Sequence, residues 1–154
     1  MSVTVRGVSV TVRWMNEADA AAYGRMAHAL WDRMTPQEHV EDNRRGFTVN
    51  DSRRSAIAFV DGAEAGFADL GFRAYVDGAA NQPVGHLEGI WVDERFRRQG
   101  VARALVAFLE DAIRARGLSE MTSDALIENA TSLRAHERWG FREHARIVQF
   151  HKAL

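Results

Sequence analysis

Ile90-Trp91-Val92-Asp93-Glu94-Arg95-Phe96-Arg97-Arg98-Gln99-Gly100-Val101-Ala102 is the stretch that decides how this chain folds. An apolar run ends at Val92, a basic loop turns, and a helix opens at a glycine. Ala102, Leu105, Val106, Leu109 and Ile113 then recur at helical spacing as far as Gly117, which stands where a glycine ends a helix. A helix N-terminus carries unpaired N–H groups and a partial positive charge, which suit a phosphate or pyrophosphate. Gly100 lets the backbone approach such a ligand, and Arg97 and Arg98 add charge. No Gly-Lys-Ser/Thr follows, so this is not a Walker loop. Taken alone, the stretch also reads as a solvated basic loop capping a strand.

Working outward, the pattern predicts a mixed α/β domain. Ser2-Val3-Thr4-Val5-Arg6 recurs as Ser9-Val10-Thr11-Val12-Arg13. The second copy is the expected first strand, and residues 1–8 an N-terminal extension, frayed or at a sheet edge. Asn16 is an N-cap for a helix through Ala18, Ala22, Tyr23, Met26 and Leu30 to about Trp31. Residues 36–46 read as a short helix or loop. Ala56–Val60 and Ala65–Tyr75 flank the hairpin signal Asp61-Gly62, and His86–Val92 is the next strand. After the central helix come a short strand at Met121–Ala125, a helix from about Ile127 to Trp139 closed by Gly140, and a last strand at Arg146–Lys152. The order is β-α-(α)-β-β-β-α-β-α-β, not a repeating βαβ array.

Composition narrows the function. The chain has 154 residues, 46% hydrophobic and 27% charged, enough for one domain. Twenty basic residues against twenty-one acidic ones give no global attraction for nucleic acid or an anionic membrane. With no cysteine there is no disulfide, thiolate metal site or covalent cysteine mechanism, which fits a cytoplasmic protein. No run approaches the ~20 apolar residues of a membrane span, and the first residues lack a secretory h-region.

Arg97-x-x-Gly100-x-Ala102, with Asn129 27 residues after Ala102 and then His136-x-x-x-Gly140-Phe141, resembles the GNAT superfamily of N-acetyltransferases. The resemblance implies the GNAT fold, a mixed and mostly antiparallel central sheet flanked by helices. It also implies a splayed strand pair that holds acetyl-CoA. Arg97, Arg98, Gln99, Gly100, Val101 and Ala102 would then bind the pyrophosphate. The strand residues Ile90, Trp91 and Val92 would pair with the pantetheine arm, and Asn129 and His136 would border the thiol end.

A narrower likeness lies in Gly66-Phe67-Ala68-Asp69, Tyr75-Val76-Asp77-Gly78, Leu87-Glu88-Gly89-Ile90-Trp91-Val92, Ser123-Asp124, Glu128-Asn129, His136 and Gly140-Phe141. In order and near-spacing these resemble one group of aminoglycoside 6′-N-acetyltransferases. The likeness implies a cytoplasmic, homodimeric enzyme with no metal, one N-acetyltransferase domain over 1–154, and an aminoglycoside acceptor. Ala145 stands where several such enzymes have a substrate-facing glutamate. The stretch from Asp69 to Tyr75 looks shorter than theirs, and 35–55 matches poorly.

The residues support the chemistry independently. A polycationic acceptor needs local acid, for which Glu88, Asp124, Asp32, Glu38, Glu41 and Asp42 are available. Attack on a thioester needs a neutral amine, so a carboxylate must take the ammonium proton. Glu88 is the expected base and Asp124 the expected amine anchor, with the roles open to exchange. His136, where most of the superfamily has tyrosine, is positioned by the resemblance to protonate the departing thiolate or to contact its sulfur. Trp31 and Tyr75 resemble pocket-wall aromatics that stack on sugar rings and attract ammonium groups. Other readings are an acetyltransferase of a polyamine, a peptide N-terminus or another small amine, and a non-catalytic acyl-CoA or aminoglycoside binding module.

Overall fold

The computed structural model describes residues 1–5, 8–49, 53–80 and 82–153. The chain forms two compact units, Met1–Ser123 and Asp124–Leu154.

In the first unit, β1 (Ser2–Val5) and β2 (Val8–Trp14) pair antiparallel, Ser2 opposite Thr11 and Val5 opposite Val8. The duplicated sequence thus folds onto itself, and its first copy is an edge strand. Arg6 and Gly7 lie outside the described residues. β3 (Arg53–Val60), β4 (Ala63–Arg73), β5 (Val84–Val92) and β6 (Met121–Ser123) complete a sheet in sequence order. Every pairing is antiparallel except β5 with β6.

Alternation along β4 sorts the helices onto opposite faces. Phe67 and Asp69 meet Tyr23 of α1 (Ala20–Leu30), whereas Phe72 lies under Arg116, just past α3 (Val101–Ala115). Asn16 caps the first turn as expected, in a capping box with Asp19, which Arg13 also holds at 2.6 Å. α2 (Pro36–Val49) is longer than its polar sequence predicts. It forms because it packs on α1: the Cβ missing from Gly24 would lie 2.5 Å from the Pro36 carbonyl oxygen.

A polar knot joins α1, α2, β3 and β4. Tyr23 donates to Asp69 at 3.0 Å, Ser55 donates to Asp69 at 2.5 Å, and Asn43 donates to Ser55 at 2.7 Å. Arg53 stands 3.7 Å from the same carboxylate. Asp69 is fully buried, and burial pushes its carboxyl upward against the pull of Arg53, Ser55 and Tyr23. Asp69→Asn keeps the volume but turns an amide donor toward one of two existing donors. The expected cost is about 1–3 kcal/mol. A urea midpoint equal to wild type would contradict it.

The second unit contains α4 (Ala130–Trp139), closed by Gly140 at φ +95°. The expected last strand Arg146–Lys152 is not formed: residues 141–153 carry no strand. The alternation there is real, but a strand exists only through a ladder with a neighbour. Without one, Ile147, Val148 and Phe150 stand exposed.

Candidate active site

The basic loop is tied by its own side chains. Asp93 accepts from the Arg95 amide and guanidinium, all at 2.9 Å, which pulls its carboxyl down to about 2. Arg97 donates to the Val92 carbonyl at 3.0 Å and to Glu94 at 3.2 Å, and Gln99 donates to the Arg95 carbonyl at 2.9 Å. Arg97 and Gln99 therefore shape the loop, a task beyond the charge read from sequence. Arg98 and Gly100 take positive φ, +61° and +86°. Among the described residues no side chain caps α3, whose N-cap is Gly100. A pyrophosphate fits this end: the first-turn N–H groups of Val101 and Ala102 meet no side-chain oxygen, and Arg98 adds a cation.

The sheet opens beside this loop. Among the described residues β6 pairs with Gly85, His86 and Leu87 alone, with Ser123 donating to the Leu87 carbonyl at 3.0 Å. β5 runs on to Val92, and Glu88–Val92 have no strand on that side among the described residues. Ile90, Trp91 and Val92 thus offer free ladder positions that an extended, amide-bearing arm can use.

Glu88 is the extra residue of a β-bulge. Asp69 faces Gly89 and Leu70 faces Leu87, so Glu88 has no opposite number. Its carboxylate lies across Gly71 of β4, where any Cβ would overlap it. There it receives a fork from Arg73: Nε to Oε1 at 3.1 Å and the second guanidinium nitrogen to Oε2 at 2.7 Å. Next to it, Trp31 at the end of α1 lays its indole on Gly89, with Phe67 edge-on at 6.0 Å and His39 donating to the Trp31 carbonyl at 2.8 Å. Trp31 is therefore half-buried, packed against the core that α1 covers. Tyr75 is 63% exposed in the loop after β4, and its hydroxyl donates to Asp77 at 3.2 Å, which raises its pKa.

The acidic group read from sequence divides. Glu38 accepts from Thr35 at the start of α2, which lowers its pKa. Glu41 accepts from Gln37, and Asp42 pairs with Arg45 and Arg53. These three support α2, and Asp32 is exposed in the turn before it. Within the first unit, Glu88 of β5 and Trp31, whose ring lies on the adjacent Gly89, come together.

In the second unit, Asp124 is exposed in the segment before α4. Asn129 is the N-cap of that helix, accepting from the Ser132 amide at 3.0 Å. His136 lies between Trp139 and Phe141, each ring 5.2 Å away, and donates Nδ1–H to the Ser132 carbonyl at 2.8 Å. That bond fixes the tautomer of the neutral ring and leaves Nε2 as its acceptor.

Residues 22–141 match the model of the acetyltransferase (GNAT) family. The chain belongs to the GNAT acetyltransferases. Among curated GNAT relatives, an aminoglycoside N(6′)-acetyltransferase type 1 of Klebsiella aerogenes is 36% identical over 95% of this chain and 98% of its own length. Its namesake in Salmonella enteritidis is 34% identical over 92% and 97%. Among solved structures, the aminoglycoside N-acetyltransferase AAC(6′)-Iy in complex with CoA superposes with a TM-score of 0.88 at 33% identity, over 97% of this chain and 98% of that one. The same enzyme with the bisubstrate analogue CoA-S-monomethyl-acetylneamine gives 0.86 at 33% identity, over 94% and 99%.

For a GNAT enzyme, the residues missed by sequence reasoning are Arg73, Gly71 and Gly89. Each acts through a cross-strand neighbour or a helix end. The one signal in the sequence was Leu87-Glu88-Gly89 itself, a glycine beside a buried-type acid on a strand.

Proposed function

We propose that this protein transfers the acetyl group of acetyl-CoA to the 6′-amine of aminoglycosides, and so confers antibiotic resistance, by direct transfer in a ternary complex. The observation that carries the reading is the open edge of β5. It runs from a seated carboxylate, Glu88, to a glycine-opened helix, so one strand joins an acid for the amine to a cradle for the pyrophosphate. The curated relatives' names and the CoA complexes support it.

In this mechanism the acceptor arrives as an ammonium ion. Glu88 takes its proton, directly or through one water, and the freed nitrogen attacks the thioester carbonyl. The N–C bond forms as the C–S bond breaks. The thiolate leaves as the thiol, with His136 as the proton donor or sulfur contact and Asn129 near the thiol end. Asp124 anchors the amine, and Trp31 and Tyr75 hold sugar rings. The absence of cysteine supports direct transfer, because no thiol is there to carry the acetyl group.

We read the chain as one N-acetyltransferase domain, since the family match runs through both compact units. It acts in the cytoplasm without a metal. Exposed Ile147, Val148 and Phe150 support a homodimer. Acetyl-CoA and kanamycin incubated with the protein should release free thiol and yield the 6′-N-acetyl product. Thiol release with spermidine but not kanamycin would overturn the aminoglycoside reading, and ping-pong initial-rate patterns would overturn direct transfer.

A further inference from the structure

Glu88 does not wait as an open carboxylate. Both of its oxygens are engaged by a single guanidinium in the parallel, two-point geometry in which arginine holds carboxylates best. The side chain is folded down onto Gly71, so the carboxylate sits low on β4, within reach of Arg73 at the end of that strand. The side chains are 40% exposed for Arg73 and 27% for Glu88. Such a pair is partly hydrated and modest in strength, and its arginine has solvent into which it can swing. An ammonium that approaches Glu88 must therefore exchange with a cation already there.

We propose that Arg73 is the resident counter-ion of Glu88, which the acceptor's reacting ammonium must displace, making Arg73 a specificity-determining residue. The proposal rests on the reading of Glu88 as the carboxylate that meets the amine. It deepens that reading by naming the form in which the acceptor binds. A nitrogen that arrives charged exchanges cation for cation and leaves Glu88 paired. A hydroxyl or uncharged nitrogen at the same place cannot separate the pair, because it offers no charge in return. Arg73 thus holds Glu88 oriented in the free enzyme, and its displacement is a cost met only by acceptors whose reacting group is charged. It acts through Glu88 rather than on the reacting atoms.

Neomycin and paromomycin provide a matched pair of probes, since they differ only in carrying an ammonium or a hydroxyl at the 6′ position. Calorimetric affinities of both should be measured at low salt for wild type, Arg73→Gln and Arg73→Lys. Arg73→Gln should tighten neomycin binding by about three- to tenfold and leave paromomycin within about twofold. Arg73→Lys, which keeps the charge but gives up the two-point fork, should shift neomycin by less in the same direction. In a Glu88→Gln background, Arg73→Gln should no longer favour neomycin, because no pair is left to break.

Equal changes for the two probes would overturn the proposal, as would weaker neomycin binding in Arg73→Gln. If Arg73→Gln does not fold, as judged by circular dichroism, Arg73→Lys carries the same comparison, and an unchanged neomycin-to-paromomycin ratio there overturns the proposal. Failure of wild type to release thiol with kanamycin would sink the proposed function. Wild type that turns kanamycin over, with no change of ratio in either variant, would sink the role of Arg73 alone. Wild type that binds neither probe would sink both.

Discussion

Glu88→Gln should lower kcat for kanamycin by about 10²–10⁴ at neutral pH, the usual cost of removing a general base, the role proposed for Glu88. The amide keeps the shape that fits over Gly71, so the fold is retained. It cannot take a proton, and at neutral pH the acceptor amine is mostly ammonium. The loss should shrink as pH rises and the amine arrives already neutral. Steady-state rates from neutral to alkaline pH, with intact folding checked by circular dichroism, read this directly. Asp124→Asn should instead raise KM at every pH, with a smaller change in kcat from misplacement. Near wild-type kcat in Glu88→Gln, with a pH-rescued loss in Asp124→Asn, would reverse the two roles. If neither variant differs from wild type, the chemistry lies elsewhere.

Gly100→Val should weaken CoA binding by about a hundredfold or more, through two effects that add. At φ +86° a β-branched residue is strained by about 1–3 kcal/mol. Its side chain also stands between the pyrophosphate and the first-turn N–H groups of α3, so the helix end loses its close approach. Calorimetry with CoA measures the sum, and a thermal melt separates strain from lost contact. Wild-type CoA affinity in a folded Gly100→Val protein would remove the loop from the cosubstrate site.

What could be read from the sequence was what is local. Gly100 before an amphipathic helix, the Asn16 capping box and the Gly140 stop each follow from the φ angles and hydrogen bonds of a few neighbouring residues. The length of α2 was not local. Its residues are polar, and the helix is long because bare Gly24 lets α1 and α2 approach. Arg146–Lys152 had the right alternation but no partner strand among the described residues, and alternation is a property of the segment while a ladder belongs to a pair. The Arg73–Glu88 fork depended on a register shift between β4 and β5 that no single strand encodes. Asn129 was placed by resemblance near the thiol; its task as an N-cap follows from where the helix starts, three residues later than the apolar pattern indicates.

The bare backbone under the acceptor end constrains how this enzyme can change under drug selection. A Cβ at position 71 would overlap the Glu88 carboxylate and one at position 89 the Trp31 indole, so on the proposed reading changes at these two glycines cost transfer before they redirect it. Adaptive change has more room in the loop at 74–80, where Tyr75 is exposed and its hydroxyl donates to Asp77. New antibiotics would then be met by a lineage whose strands stay fixed while this loop drifts, and whose spectrum widens by substitutions at the mouth of the site instead of its floor.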